Sequence, residues 1–482
     1  MKYLNKKLII HFLLSLVFTA TISSCSEDEG EESIENEIPN SLELNLSQLD
    51  NGSRVFMQAF YWDVEPKGEW YNTVATKLED WKSAGVDRIW MPSPAKGQSG
   101  FNSMGYDPSD YFDLGEFDQH GTVETRFGSR AELEAFITKA HGLDMEVIAD
   151  IVISHNSGGG KQDNPFRPGD TDVFTLFNEE NGNASGKFNR DFNHFHPNGL
   201  QENDGFGENP FFAKTDLSHE VPYVREWLWE DETKSVASFY QEVGFDGWRF
   251  DFVKSFDPKW VKAWNAKTPG LFSVGENFDG NAEVLKNWVD ASGAPAFDFA
   301  CFYKLEEALD RNKDLTFLDR DMLRKIYPEK AVTFVSNHDT EKDKNANNRI
   351  NPINKLLAYA YILTHDGYPT LFYSDYENAT FKPMLKKLTA IHNSLATGSL
   401  EILEINKDEY IMKRGGEGNN PGLILYMNIS NNTLQRQVKT DWNGKMLVDY
   451  SENSKKTLST SADGTVTIEA PAKSFAIWSI AK

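Results

Sequence analysis

Cysteine is nearly absent: the 482-residue chain has two, Cys25 and Cys301. With one of them next to the N-terminus, no internal disulfide framework is available, whatever the redox compartment. Cys301 lies in the apolar run 297–303 and reads as a small buried hydrophobe without chemistry of its own. Basic residues are also scarce, 49 Lys and Arg against 73 Asp and Glu, for a net charge of −24. Such a field repels phosphate backbones and excludes nucleic acid as a partner; a neutral substrate suits it better. The apolar stretch Leu8–Val17 is too short to span a bilayer. Aromatic residues, by contrast, are plentiful: 12 Trp, 17 Tyr and 33 Phe provide surface for a large core and for stacking on flat ligands.

The N-terminus has the parts of a targeting segment. Lys2, Lys6 and Lys7 precede the apolar stretch, and Ile22-Ser23-Ser24-Cys25 closes it. Residues 1–25 resemble a bacterial lipoprotein signal peptide, which implies a mature chain lipidated at Cys25 and anchored to the cell envelope, with the outer membrane and a surface-exposed position expected. An ordinary secretory signal is the alternative. Residues 26–51 are acidic and poor in large apolar side chains, as a solvated tether would be.

From Val55 onward, short apolar runs alternate with amphipathic helical patterns. Strands are expected at 55–62, 88–91, 147–153, 247–252, 272–275, 296–299, 331–336 and 370–373, and helices at stretches such as 72–84, 129–141, 224–243 and 353–365. Eight strand-helix units close a (β/α)₈ TIM barrel of α/β class, here over residues 52–155 and 223–398; a doubly wound open sheet is the runner-up. Residues 156–222 are rich in Gly, Asn, Asp, Pro and Phe and too long for a loop, so a small domain inserted after the third strand is expected. Beyond residue 399, alternating runs at 410–413, 423–428, 445–448, 465–468 and 475–480 predict a C-terminal all-β sandwich over 399–482. Nothing in the chain suggests an oligomer interface, and a monomer is expected.

Candidate chemistry sits at four strand ends. Asp150 to His155 closes one, Arg249-Phe250-Asp251 another, Val274-Gly275-Glu276 a third and Ser336-Asn337-His338-Asp339 a fourth. Taken alone, Arg249 and Asp251 read more readily as a surface ion pair. In a barrel, however, all four ends converge on one rim. An arginine beside a carboxylate favours the charged form that a nucleophile needs, whereas a glutamate behind an apolar strand among other anions is expected to stay protonated and serve as an acid. Two carboxyl groups with separated roles are what glycoside hydrolysis uses.

The four stretches resemble the signature regions of the α-amylase family, glycoside hydrolase family 13. The likeness extends from Met57-Gln58-Ala59-Phe60-Tyr61-Trp62 through the barrel into the C-terminal sandwich, and the stretches 103–108, 121–128 and 331–340 are similar to archaeal and plant-type members. The resemblance implies Asp251 as nucleophile, Glu276 as general acid/base and Asp339 as the carboxylate that binds sugar hydroxyls and stabilises the transition state. It further implies retention through a covalent glucosyl-enzyme, with the two reacting carboxyl groups about 5 to 5.5 Å apart. His155 and His338 match histidines that donate to the sugar at the cleavage site, Tyr106 a tyrosine that stacks on it, Asp150 a support for Arg249, and Lys254 a contact on the leaving-group side.

One calcium ion is implied by the same resemblance, and here the chain departs from the family pattern. Ser154 stands where an asparagine ligand is usual; Asp216 matches the aspartate ligand, Asp204 offers another, and Ser255 would contribute its backbone carbonyl. The activity implied is endo-hydrolysis of internal α-1,4-glucosidic bonds of starch-like glucans. Alternatives are an exo-acting or transferring member, such as a maltogenic enzyme or α-glucosidase, and a surface glucan-binding lipoprotein without turnover.

Overall fold

The computed structural model describes residues 55–178, 183–200 and 211–481. Cys25, the acidic tether and Asp204 therefore lie outside the described residues.

Eight parallel strands close on themselves: β1 (Phe56–Gln58), β2 (Arg88–Met91), β3 (Glu146–Ile151), β4 (Gly247–Phe250), β5 (Phe272–Gly275), β6 (Ala296–Phe297), β7 (Ala331–Phe334) and β8 (Tyr368–Phe372). The ladder runs in chain order and ends with β1 beside β8. Closure removes every free edge, so the open-sheet alternative is excluded. Large rings fill the interior. Phe56 packs on Trp90, Phe272 and Tyr368, and Trp90 on Phe297, with centroids 5.4–6.3 Å apart. Arg88 lies over the Phe272 ring at 4.1 Å and pairs with Glu146, so the barrel is filled rather than hollow.

Register sets the chemistry. Asp150 of β3 lies opposite Arg249 of β4, and Phe250 of β4 opposite Gly275 of β5. Neighbouring residues on adjacent parallel strands face the same side, so Asp150 and Arg249 meet inside the barrel, and Asp251 and Glu276 follow at the next step up, on the rim.

The strands are shorter at their C-terminal ends than the apolar runs suggest. Residues 59–62 and 152–153 already leave the ladder and form the rim. Among the helices, Arg130–His141 matches expectation and opens with a Ser129–Glu132 capping box. The expected helix over 224–243 is instead broken into Pro222–Arg225, a π-turn Glu226–Glu230 and Val236–Val243. The Asp231 side chain accepts from the Thr233 and Lys234 N–H groups, and Ser235 caps the second piece, so local side-chain bonds replace the helical ladder.

The segment after β3 carries a two-stranded sheet, Gly160–Asp163 with Asp172–Leu176. Its return crosses its exit: Leu217 N–H donates to Ser154 O and Asn156 N–H to Thr215 O, both at 3.0 Å. That cross-tie holds His155 at the barrel rim.

The C-terminal strands are β9 (Leu400–Ile405), β10 (Glu409–Arg414), β11 (Leu423–Asn428), β12 (Leu434–Lys439), β13 (Met446–Asp449), β14 (Thr457–Ser459), β15 (Thr465–Ala470) and β16 (Ser474–Ile480). They form a six-stranded sheet in the order β9-β10-β11-β16-β13-β14 and a β12-β15 ribbon. Ile424, Tyr426, Leu447 and Trp478 of the sheet enclose a core with Val438, Val466 and Ile468 of the ribbon. This domain is tied to the barrel by the His365–Tyr410 hydrogen bond of 2.7 Å and the Arg414–Asp366 ion pair of 2.8 Å. Among the described residues, no helix is long and apolar enough to cross a membrane.

Candidate active site

One buried guanidinium organises the rim. Arg249 is fully buried, and its Nη1 donates to Asp150 at 2.9 and 3.0 Å and to Asp251 at 2.8 Å. Its Nη2 lies 2.7 Å from Glu276 Oε1, an ion contact outside hydrogen-bond alignment. Trp90 Nε1 and the Tyr106 hydroxyl also donate to Asp150, at 3.0 and 2.9 Å. Asp150 thus acts as a buried acceptor that orients Arg249 and Tyr106, and Arg249 in turn orients the two carboxyl groups above it.

Three acids share one cation here, so they cannot all ionise at equal cost. Burial pushes Glu276 up to about 8, with Arg249 opposing and the charges of Asp251, Asp339 and Asp150 adding to the rise. Glu276 is accordingly a protonated acid at neutral pH. The backbone turns sharply between the two carboxyl groups: Phe252 adopts left-handed φ of 39°, and its N–H approaches Glu276 Oε2 at 3.3 Å. A non-glycine residue in that region is strained, and the strain sits next to Asp251.

On the opposite side of the rim, Asn337 Oδ1 accepts from the N–H groups of Asp339 and Thr340, and this small turn presents Asp339 to the cleft. His338 is buried, and burial holds it well below the ordinary imidazole range. Gln58 Nε2 donates to its Nδ1 at 2.8 Å, which leaves the proton on Nε2, 3.6 Å from Asp339 Oδ2. Trp62, Tyr106 and His338 lie within 14° of parallel, with all three centroid separations between 5.2 and 5.7 Å. Three such equal separations make offset tiles rather than a column, and tiles form a floor on which a pyranose face can lie.

These groups line a cleft of about 900 Å³ that includes Asp251, Glu276, Asp339, Tyr106, His155 and His338. Sequence reasoning brought those six together. It did not single out Gln58, Trp62, Trp90 or Phe212. A polar Gln58 inside an apolar strand was the available signal for the first; the rings carried none, because a tryptophan in an apolar run reads as core.

Two assigned residues are engaged otherwise than expected. His155 Nε2 donates to the Tyr106 carbonyl at 2.8 Å, its Nδ1 pairs with Ser154 Oγ at 2.7 Å, and its ring stacks on Phe212 at 3.8 Å. Both ring nitrogens are thus partnered by protein, and His155 holds Tyr106 in place. Lys254 donates to Phe278 O at 3.1 Å and to Asp279 at 3.0 Å, pinning the loop after β5 instead of pointing into the cleft.

The residues expected to bind calcium lie around the cross-tie and the end of β4. Ser154 Oγ is bonded to His155, and Asp216 and Ser255, whose backbone carbonyl is the expected donor, are both buried. Asn156, also buried there, has an amide oxygen without a hydrogen-bond partner. Among the described residues, no three His, Cys, Asp or Glu side chains gather closely enough to hold a metal ion. Asp216 is one carboxylate, and Ca²⁺ takes six to eight oxygens.

A sequence model of the α-amylase catalytic domain matches residues 51–397, and one of the α-amylase C-terminal domain matches residues 423–479. The chain belongs to the α-amylase family. An α-amylase of Geobacillus stearothermophilus is 27% identical over 88% of this chain and 86% of its own length. A glucan 1,4-α-maltohexaosidase of Bacillus sp. (strain 707) is 28% identical over 69% and 73%. Among solved structures, an Anoxybacillus α-amylase superposes with a TM-score of 0.66 at 18% identity, covering 89% of this chain and 98% of that one. This α-amylase family member is a glycoside hydrolase, and its barrel with C-terminal β domain is the family's architecture.

Proposed function

We propose that this chain is an endo-acting α-amylase that cleaves internal α-1,4-glucosidic bonds of starch-like glucans with retention. The observation that carries the reading is the placement of Asp251 and Glu276 on the two terminal nitrogens of one guanidinium. Asp251 attacks the anomeric carbon while Glu276 gives its proton to the departing glycosidic oxygen, so one C–O bond forms as another breaks. The glucosyl ester of Asp251 is then hydrolysed: Glu276, now a carboxylate, takes a proton from water, the water oxygen bonds to the anomeric carbon, and Asp251 is released. Asp339 and His338 bind hydroxyls of the sugar lying on the ring floor. A relative named α-amylase over nearly the whole chain supports endo attack. The maltohexaosidase names the rival, release of one defined oligosaccharide from a chain end.

A time course on soluble starch separates the two. Endo attack predicts rapid loss of iodine staining with mixed oligosaccharides, whereas a single product with staining retained contradicts it. No hydrolysis by the wild-type chain would favour the glucan-binding alternative.

Three further parts belong to the same reading. Calcium would be held by Asp216 with Asp204, bridging the β3 end and the inserted segment. Lipid at Cys25 would anchor the enzyme to the outer membrane, exposed at the surface. The kinship with archaeal and plant-type members rests on the motifs at 103–108, 121–128 and 331–340.

A further inference from the structure

Lys96 is fully buried at the start of the loop that leaves β2. Its ammonium donates to the carbonyl oxygens of Phe117, Thr122 and Val123 at 3.0, 2.9 and 2.5 Å, and Asp113 Oδ2 lies 3.4 Å away. Four oxygens, one of them ionised, converge on one positive charge from a segment that wraps around it. Asp113 is itself fixed by the N–H groups of Gly115 and Glu116 and by Gln119 Nε2 at 2.7 Å, so it cannot swing to solvent. Carbonyl oxygens turned inward on one another repel unless a cation sits among them.

The backbone that carries Lys96, anchored in this way to residues 113–123, leads directly into a wall of the cleft. Lys96 and Gly97 pair with Asp110 and Pro108, and the hairpin between them carries Gln98, Ser99, Ser103, Tyr106 and Asp107, all of which line the cavity. Ser99 N–H and Ser103 Oγ both donate to Asp107, which closes the hairpin. Tyr106, on its return arm just before Asp107, reaches Asp150 and supplies one tile of the ring floor.

We propose that the Lys96 ammonium serves as a tethered structural cation, occupying a four-oxygen cage in the manner of a bound metal ion, and that it positions the Tyr106 wall of the cleft. Lys96 is a positioning residue: it acts through the loop and touches no reacting atom. The inference requires only that the cleft hydrolyses glucan, not which bond it chooses.

The test compares Lys96→Met, which keeps the stem and removes the charge, with Lys96→Ala, which empties the cage. Both should lower kcat/KM on soluble starch by about tenfold or more, the scale of one charge-assisted hydrogen-bond set lost. Propylammonium chloride should restore Lys96→Ala several-fold and raise its melting temperature, with sodium chloride at the same ionic strength as the reference. It should do neither for Lys96→Met, whose stem still fills the channel. If Lys96→Ala is recovered only unfolded, the same amine should raise its refolding yield. Wild-type kinetics and melting in Lys96→Met would overturn the proposal, because they would mean that packing of the stem alone suffices. So would an Ala variant that no amine restores.

Discussion

Arg249 is the residue on which the site depends most. Its charge contacts Asp150, Asp251 and Glu276. Replacing it with Met leaves three acids facing each other without a cation, and removing one partner from a buried ion pair costs about 3 to 5 kcal/mol. Arg249→Met should therefore melt well below wild type as well as lose activity, and thermal denaturation followed by circular dichroism measures it. Glu276 makes a second prediction. Burial raises its pKa to about 8, so the acid form that the reaction needs persists through neutral pH and kcat/KM should fall as pH rises through that value. Its folded-state pKa lies above the unfolded one, so the native state binds the extra proton: the associated stability is complete below the unfolded pKa and is lost as pH rises toward 8. Glu276→Gln cannot ionise. It should abolish the alkaline limb together with turnover, and its stability relative to wild type should improve as pH increases, readable from denaturant midpoints at pH 5 and pH 9.

At the scale of elements, the ends of strands carry the function and their middles carry the fold. The apolar runs of β3, β4, β5 and β7 were legible, because strands covered on both faces of a barrel wall demand them, and with them the convergence of Asp251, Glu276 and Asp339. What period and propensity do not encode is how the rim is tied. The His155 ring was expected to face sugar, yet the cross-tie of the inserted segment turns it to the Tyr106 carbonyl, with Ser154 fixing the tautomer. Those partners lie one and 49 residues away, and no local pattern announces the second. The break at Asp231 was likewise hidden, since the helical period continues on both sides of it. Ser154→Ala removes the hydroxyl that donates to His155. It should loosen the Tyr106 wall and raise KM several-fold with a smaller change in kcat, measured on a defined maltooligosaccharide.

At the scale of the whole molecule, the acidic surface and the open cleft suit a long neutral polymer, and the barrel carries every residue assigned to the reaction. The C-terminal sheet contributes none of the cleft-lining side chains. It contacts the barrel through Tyr410 and Arg414, so its expected role is stability. Arg414→Ala should lower the melting temperature while leaving kcat/KM within about twofold, because the contact is remote from the chemistry. The proposed calcium ion belongs at this scale too, where it would brace the barrel against its insertion. Chelation should lower the melting temperature if Asp204 joins Asp216 around the ion, and Asp216→Asn should abolish that response.

On the proposed mechanism, Asp251 forms the covalent bond to sugar. Treatment with a 5-fluoro-α-glucosyl fluoride, which slows the second step more than the first, followed by proteolysis and mass mapping, tests it directly. One added 5-fluoroglucosyl unit is expected on the peptide that contains Asp251, and none in Asp251→Asn. A label on any other carboxylate, or turnover with inverted products and no label, would contradict it.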